Sequence, residues 1–127
     1  MDGVTKIFAV AAGGAFGAIA RYLINLSPVA RVFDSFPLST FLINISGSIA
    51  IGFVMAITIE RFELSETIKL ALIVGFFGAF TTFSTYEFEI FSLIRERQFV
   101  SAIFYAVASL VVGLIAVAAG FELGRRV

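Results

Sequence analysis

The sequence predicts an all-α membrane protein of four transmembrane helices with a broken third helix, and three observations carry that prediction. Four apolar runs of span length follow one another along the 127 residues. Charged residues make up only 14% of the chain against 60% hydrophobic, and they fall mostly between those runs, leaving too little polar covering for a soluble core of this size. Inside the third run, the stretch GAFTTFSTYEFE (78–89) places hydroxyl side chains where the run should be most apolar.

The predicted spans are 7–24, 38–59, 70–94 and 99–123, each close to the roughly 20 residues that cross a bilayer as helix, and they form a single domain over residues 1–127. The first begins after Lys6 and is rich in small residues, a pattern shared with signal peptides; because the later segments are equally span-length, it is read as a span. The connections carry turn and charge signals: NLSPVARVFDSFP, ERFELSETIK and RERQ. Ser65 followed by Thr67 to Lys69 predicts a helix start, with Glu66 well placed in the first turn. Gly13 and Gly17, Ser48 and Gly52, and Ala116 and Gly120 repeat a small residue every fourth position, which lets helix backbones approach closely in lipid.

The residue inventory excludes much chemistry. Without cysteine there is no disulfide or thiolate, and without histidine there is neither an imidazole ligand nor the usual general base, so an enzyme is not expected. Nine basic and nine acidic residues leave no basic patch for nucleic acid. One side of the predicted topology carries Lys6, Arg61, Lys69, Arg125 and Arg126; the other carries Arg31, Arg95 and Arg97, with Arg21 if it snorkels that way. So weak a bias leaves two readings open, an ordinary single-topology protein and a chain that inserts both ways and works as an antiparallel dimer.

Gly75, Gly78 and Ala79, leading into Thr81, Thr82, Ser84 and Thr85, weaken the third helix at membrane depth. Backbone groups freed there cost several kcal/mol each unless protein, water or an ion satisfies them, so a break implies an enclosed polar site. Thr40, Asn44 and Ser48 continue a polar stripe on span two, and Tyr105 and Ser109 do so on span four. Taken singly, each Ser or Thr has an ordinary reading as a back-bond to the carbonyl four residues earlier; Asn44 is harder to account for in that way. Neutral donors suit a small anion better than a metal cation, which would want carboxylates. Phe83 and Tyr86, within the break, could turn positive ring edges toward such an anion.

These residues resemble the small bacterial and archaeal fluoride channels called Fluc or CrcB proteins. The resemblance covers the whole chain and rests on GGAFGAIARY (13–22), on STFLINISGS (39–48) and above all on GFFGAFTTFSTYEFE (75–89). It implies a dual-topology antiparallel homodimer in the cell membrane that conducts fluoride passively through two antiparallel pores between subunits. It also implies a structural sodium ion at the dimer centre, held by the carbonyls of Gly78 and Thr81 from both subunits. By the same resemblance Asn44 is the amide donor to the ion, Phe83 and Tyr86 are the pore rings, and Ser84 and Thr85 lie between them. Thr40, Tyr105, Ser109 and Glu89 match a polar track, although Glu89 also reads as an ordinary helix-end acid. Arg21 matches an arginine ending helix one, with two readings, a vestibule charge that attracts anions and a snorkelling interface anchor.

Two positions depart from the family pattern. Tyr86 stands where phenylalanine is usual, which adds a hydroxyl with no evident partner, and Gly113 stands where many relatives have serine. Two other functions were weighed. A small proton-coupled multidrug exporter needs a carboxylate in helix one, where none lies between Asp2 and Asp34. A structural membrane subunit predicts small-residue faces but not a break aligned with Asn44.

Overall fold

The computed structural model describes residues 2–33, 35–60 and 64–127; Arg61, counted above among the basic residues of one side, lies outside them. Helix α1 spans Asp2–Leu26 and α2 spans Leu38–Glu60. Helix α3 joins Glu66–Lys69, Leu70–Phe77 and Gly78–Phe80; α4 is Phe83–Arg95 and α5 is Phe99–Arg126. Since α3 and α4 make up one span, four units among the described residues are long and apolar enough to cross a membrane. Every predicted span lies within an observed one, the largest extension running from residue 7 back to Asp2.

The connections follow local chemistry. Pro28 opens a single 3-10 turn, Pro28–Arg31, between α1 and α2. Ser65 caps α3 as expected, its Oγ accepting the Ile68 N–H at 3.3 Å, with Glu66 in the first turn. After α4 the chain reverses at Arg97, whose φ of 60° is the left-handed conformation usually given to glycine. The Arg97 N–H bonds the Ile94 carbonyl at 3.0 Å and the Gln98 N–H bonds the Leu93 carbonyl at 2.8 Å, a pairing that satisfies the last carbonyls of α4.

Ion pairs fix which ends lie together. Lys6 Nζ meets Glu66 Oε2 at 2.6 Å and Arg125 Nε meets Glu60 Oε2 at 3.2 Å. The start of α1, the end of α2, the start of α3 and the end of α5 therefore share one side. Exposed pairs of this kind contribute little stability.

Two close helix pairs build the body, α1 against α3 and α2 against α5, and glycine makes both possible. A methyl group on Gly13 would strike the Ala71 carbonyl, one on Gly17 the Phe76 carbonyl, and one on Gly75 would stand 2.7 Å from the Val10 carbonyl. In the second pair, a methyl on Gly52 would strike the Val117 carbonyl and one on Gly120 the Ile49 carbonyl. Backbone touches backbone at these points, the packing available in lipid where no hydrophobic effect joins helices. Along Leu70–Phe77 the turns of α3 are widened to π type, a winding the sequence did not announce. Helix α4 packs chiefly on α5, where Leu93, Ala102 and Tyr105 form a buried cluster with Phe36, Phe41, Tyr86 and Ile90.

Gly120 and Gly113 lie on the same helix in opposite situations. On Gly113 a methyl group would find its nearest neighbour, Ile45 Cδ1, at an ordinary 3.9 Å. Gly120→Ala is expected to destabilise the protein by about 1–3 kcal/mol through backbone collision, whereas Gly113→Ala should be neutral or stabilising. Thermal unfolding of the two variants in detergent checks the contrast, and equal midpoints would contradict it.

Candidate functional site

The break in the third span occupies two residues. Thr81 (φ −78°, ψ 156°) and Thr82 (φ −148°, ψ 121°) are extended, while Gly78 keeps helical angles and Ser84 and Thr85 already belong to the first turn of α4. The glycines upstream thus do not break the helix themselves. The interruption falls where side chains offer the backbone other partners. Thr82 caps α4, its Oγ1 accepting the Thr85 N–H at 3.3 Å and donating to Thr85 Oγ1 at 3.0 Å. Thr81 Oγ1 donates back to the Phe77 carbonyl at 2.8 Å and so closes the end of α3.

Asn44 on α2 holds the break from the side. Its Oδ1 accepts the Thr82 N–H at 2.9 Å and its Nδ2 donates to the Thr82 carbonyl at 3.1 Å, satisfying both backbone groups of that residue. One hydrogen on Nδ2 is left over from this pair. Gly47, one turn on, lets the break approach, since a methyl there would strike Thr81 Cγ2 and stand 3.3 Å from Phe80 Cδ1. Sequence reasoning gave Gly47 no role; its signal was a glycine three residues after the asparagine.

These bonds also take two backbone donors away from their helical partners. In a continuous helix the Thr82 N–H would bond the Gly78 carbonyl and the Thr85 N–H would bond the Thr81 carbonyl. The first donor goes instead to Asn44 and the second to the Thr82 side chain. Gly78 and Thr81 are two of the four residues, 78–81, whose carbonyls lose their helical donors at the break.

Two open spaces flank Asn44. A cavity of about 250 Å³ at the break is lined by Asn44, Gly47, Ser48, Thr81, Thr82 and Phe83 among others. On the opposite flank Asn44, Phe83, Tyr86, Ser109 and Leu110 line a cleft of about 390 Å³. Both open on the flank of the chain, and Phe83 is 71% exposed. Ser109 Oγ is buried and has no hydrogen-bond partner among the described residues.

The Tyr86 hydroxyl, unassigned from sequence, donates to the Ala106 carbonyl at 2.9 Å. Its ring stands edge-on to Tyr105, with centroids 5.3 Å apart, and 5.9 Å from Phe83. Beyond Tyr86 lies a polar group shared by three helices. Thr40 Oγ1 donates to Glu89 Oε1 and Tyr105 OH donates to Glu89 Oε2, each at 2.7 Å, with Thr40 and Tyr105 both buried. Glu89 is thus seated between hydroxyls and half-buried, rather than being a solvated helix-end acid.

The structure thus gathers Asn44, Phe83, Tyr86 and Ser109 around one cleft, Thr40, Tyr105 and Glu89 beside it, and Gly78 and Thr81 at the break. It does not bring Ser84 and Thr85 into the cleft, since both lie exposed on the outer face of α4. Arg21 is half-buried on α1, which packs on α3, away from this group. Among the described residues no cluster of acidic, histidine or cysteine side chains could hold a metal.

Residues 8–121 match the family described as CrcB-like protein, Camphor Resistance (CrcB). The chain is 43% identical over 122 residues to the fluoride-specific ion channel FluC of Chloroflexus aurantiacus, covering 96% of this chain and 97% of that one. It is 43% identical over 118 residues to the protein of the same name from Trichormus variabilis, covering 92% and 86%. For that of Solibacter usitatus the identity is 39% over 121 residues, covering 95% and 99%.

The hydrogen bonds at the break imply an order of stabilities. Asn44→Ala strands both backbone groups of Thr82 and is expected to cost about 2 kcal/mol or more, whereas Tyr86→Phe loses one hydroxyl bond worth about 1 kcal/mol. Thermal unfolding of both variants in detergent tests the order; a harmless Asn44→Ala would remove its bracing role.

Proposed function

The chain belongs to the CrcB-like family, and from that premise we propose that it is a fluoride channel: a multi-pass protein of the cell membrane that conducts fluoride passively out of the cytoplasm. The observation that supports this reading is the broken third span, where the Asn44 amide takes both backbone groups of Thr82 and, among the described residues, the nearby Ser109 Oγ is buried without a hydrogen-bond partner. Such a site is tolerated in lipid only where it binds something or faces an enclosed polar space.

In this mechanism the pathway runs through the cleft. The spare Nδ2 hydrogen of Asn44 and the Ser109 hydroxyl donate to the anion, replacing part of its hydration shell. The rings of Phe83 and Tyr86 turn positive edges toward it and exclude water. Tyr86 is anchored through Ala106, so its hydroxyl faces α5 and its ring is what the cleft receives. Farther along, the anion competes with the Glu89 carboxylate for the hydroxyl protons of Thr40 and Tyr105. Ser84 and Thr85, on the outer face of α4, would reach the pathway from the side of a second subunit, and Arg21 would supply a positive potential at its mouth.

An antiparallel homodimer completes the site. The open flank of both spaces and the bare ring of Phe83 support closure by a second copy, giving two pores, one on each side of a central axis. The carbonyls of Gly78 and Thr81 from both chains fit a small hard cation, and they would hold the sodium ion. Bound there, sodium supplies positive charge that satisfies carbonyl oxygens which lipid could not.

Passive export needs no energy-coupling residue. Hydrofluoric acid crosses membranes as the neutral acid and dissociates inside, and a negative-inside potential favours exit of the anion by about 2.3 kcal/mol per 100 mV.

In liposomes containing the purified protein, with valinomycin to dissipate voltage, a fluoride electrode is expected to record fast loss of fluoride while chloride is retained. Vesicles that hold both ions, with the dimer intact, would overturn the reading. Phe83→Ile should slow fluoride loss about tenfold, equivalent to roughly 1.4 kcal/mol of barrier; unchanged flux would assign Phe83 to packing. Sodium in place of N-methylglucamine should raise the thermal midpoint of the purified protein, and an unchanged midpoint across sodium concentrations would remove the ion from the scheme.

A further inference from the structure

Serine hydroxyls within apolar helices often back-bond to a carbonyl of the preceding turn, and two here do so. Ser46 Oγ donates to the Ile43 carbonyl at 3.1 Å and Ser92 Oγ to the Phe88 carbonyl at 2.9 Å. Ser48 makes no such bond among the described residues, and its side chain lines the cavity at the break. It follows Asn44 by one turn on the same face of α2. Its hydroxyl is therefore an uncommitted donor on a wall that already carries the amide.

The register between α2 and α5 extends this arrangement. Asn44 and Ser109 line the same cleft, and four residues farther along each helix Ser48 faces Gly113. A methyl group on Gly113 would stand 4.0 Å from Ser48 Oγ, so the glycine leaves room in front of the hydroxyl instead of filling it. Asn44 lines both spaces and lies between two free hydroxyls, that of Ser109 on the cleft side and that of Ser48 on the cavity side.

We propose that Ser48 is a further anion-contacting residue of this pathway, its hydroxyl taking the ion over from Asn44 at the cavity of the break, while the facing Gly113 leaves the hydroxyl unobstructed on the side of α5. The assignment rests on the reading of the chain as a fluoride channel. A serine hydroxyl can rotate to donate to a small anion with no backbone movement, and contact with the ion accounts for a hydroxyl that does not bond its own helix.

The test is fluoride efflux from liposomes containing wild type, Ser48→Ala, Ser48→Thr or the double variant Ser48→Ala with Gly113→Ser, with thermal unfolding and the chromatographic dimer measured alongside. Loss of a hydrogen bond to a charged ligand predicts flux about tenfold lower in Ser48→Ala. Ser48→Thr keeps the hydroxyl and should stay within about twofold of wild type. The double variant restores a hydroxyl to the same space from the facing helix and should recover most of the flux. If Ser48→Ala does not assemble, Ser48→Cys, similar in size with a weaker donor, takes its place with the same expected loss. Wild-type flux in the donor-deficient variant would overturn the proposal. So would a loss, in a stable dimer, that is matched by Ser48→Thr and not recovered by the serine at 113. Wild-type vesicles that retain fluoride would instead overturn the functional reading on which the proposal rests.

Discussion

A backbone amide in hydrocarbon must find a partner, and the arrangement of this protein follows from how that rule is met at Thr82. The paired bonds between the Asn44 amide and the N–H and carbonyl of Thr82 replace the helical bonds that the break removes. They also set the position of α4, because Thr82 is its cap, and with it the positions of Phe83, Tyr86 and Glu89. An asparagine can do this since its side chain carries a donor and an acceptor with the geometry of a peptide group. An aspartate offers only acceptors when ionised, and a leucine offers neither.

Precision at that point depends on the close helix pairs. Gly52 and Gly120 bring α2 onto α5 at backbone distance, which fixes Asn44 opposite Ser109 and Ser48 opposite Gly113. Gly13, Gly17 and Gly75 do the same for α1 and α3, so the end of α3 reaches Thr81 from a fixed direction. The π winding of Leu70–Phe77 lies along this second contact, where the carbonyls of Ala71 and Phe76 meet the glycines of α1. Rigid pairs on either side of a two-residue gap hold the gap open.

Apolar length was enough to place the four spans, because membrane thickness demands it of any helix that crosses. The start of α3 was legible from Ser65 and Glu66, whose chemistry is local. The break was legible as a region but not as a position. Its glycines have low helix propensity, yet they stay helical because α1 packs on them, and the interruption falls on Thr81 and Thr82, where side-chain bonds compete with the helix. Partners distant in sequence were not legible. Tyr86 bonds a carbonyl 20 residues away and Asn44 a peptide group 38 residues away, and neither spacing leaves a periodic trace. Thr40 and Glu89 could be named as polar residues on a track, but that one accepts from the other required the packed helices.

The outer face of α4 bears on assembly. Ser84, Thr85 and Glu87 are exposed there beside Phe88 and Phe91, within one to two turns of the break and therefore deep in the span. A carboxylate at that depth facing acyl chains costs several kcal/mol, so such groups line protein or water. In a single chain this face has no cover, since α4 rests mainly on α5 through Tyr86, Glu89 and Leu93. In the antiparallel dimer proposed above, a second copy would cover this surface and the open cleft of Asn44 and Ser109. The demand that keeps Thr82 satisfied inside one chain would then act between two, since the proposed dimer gives the exposed polar groups of α4 a protein surface to meet.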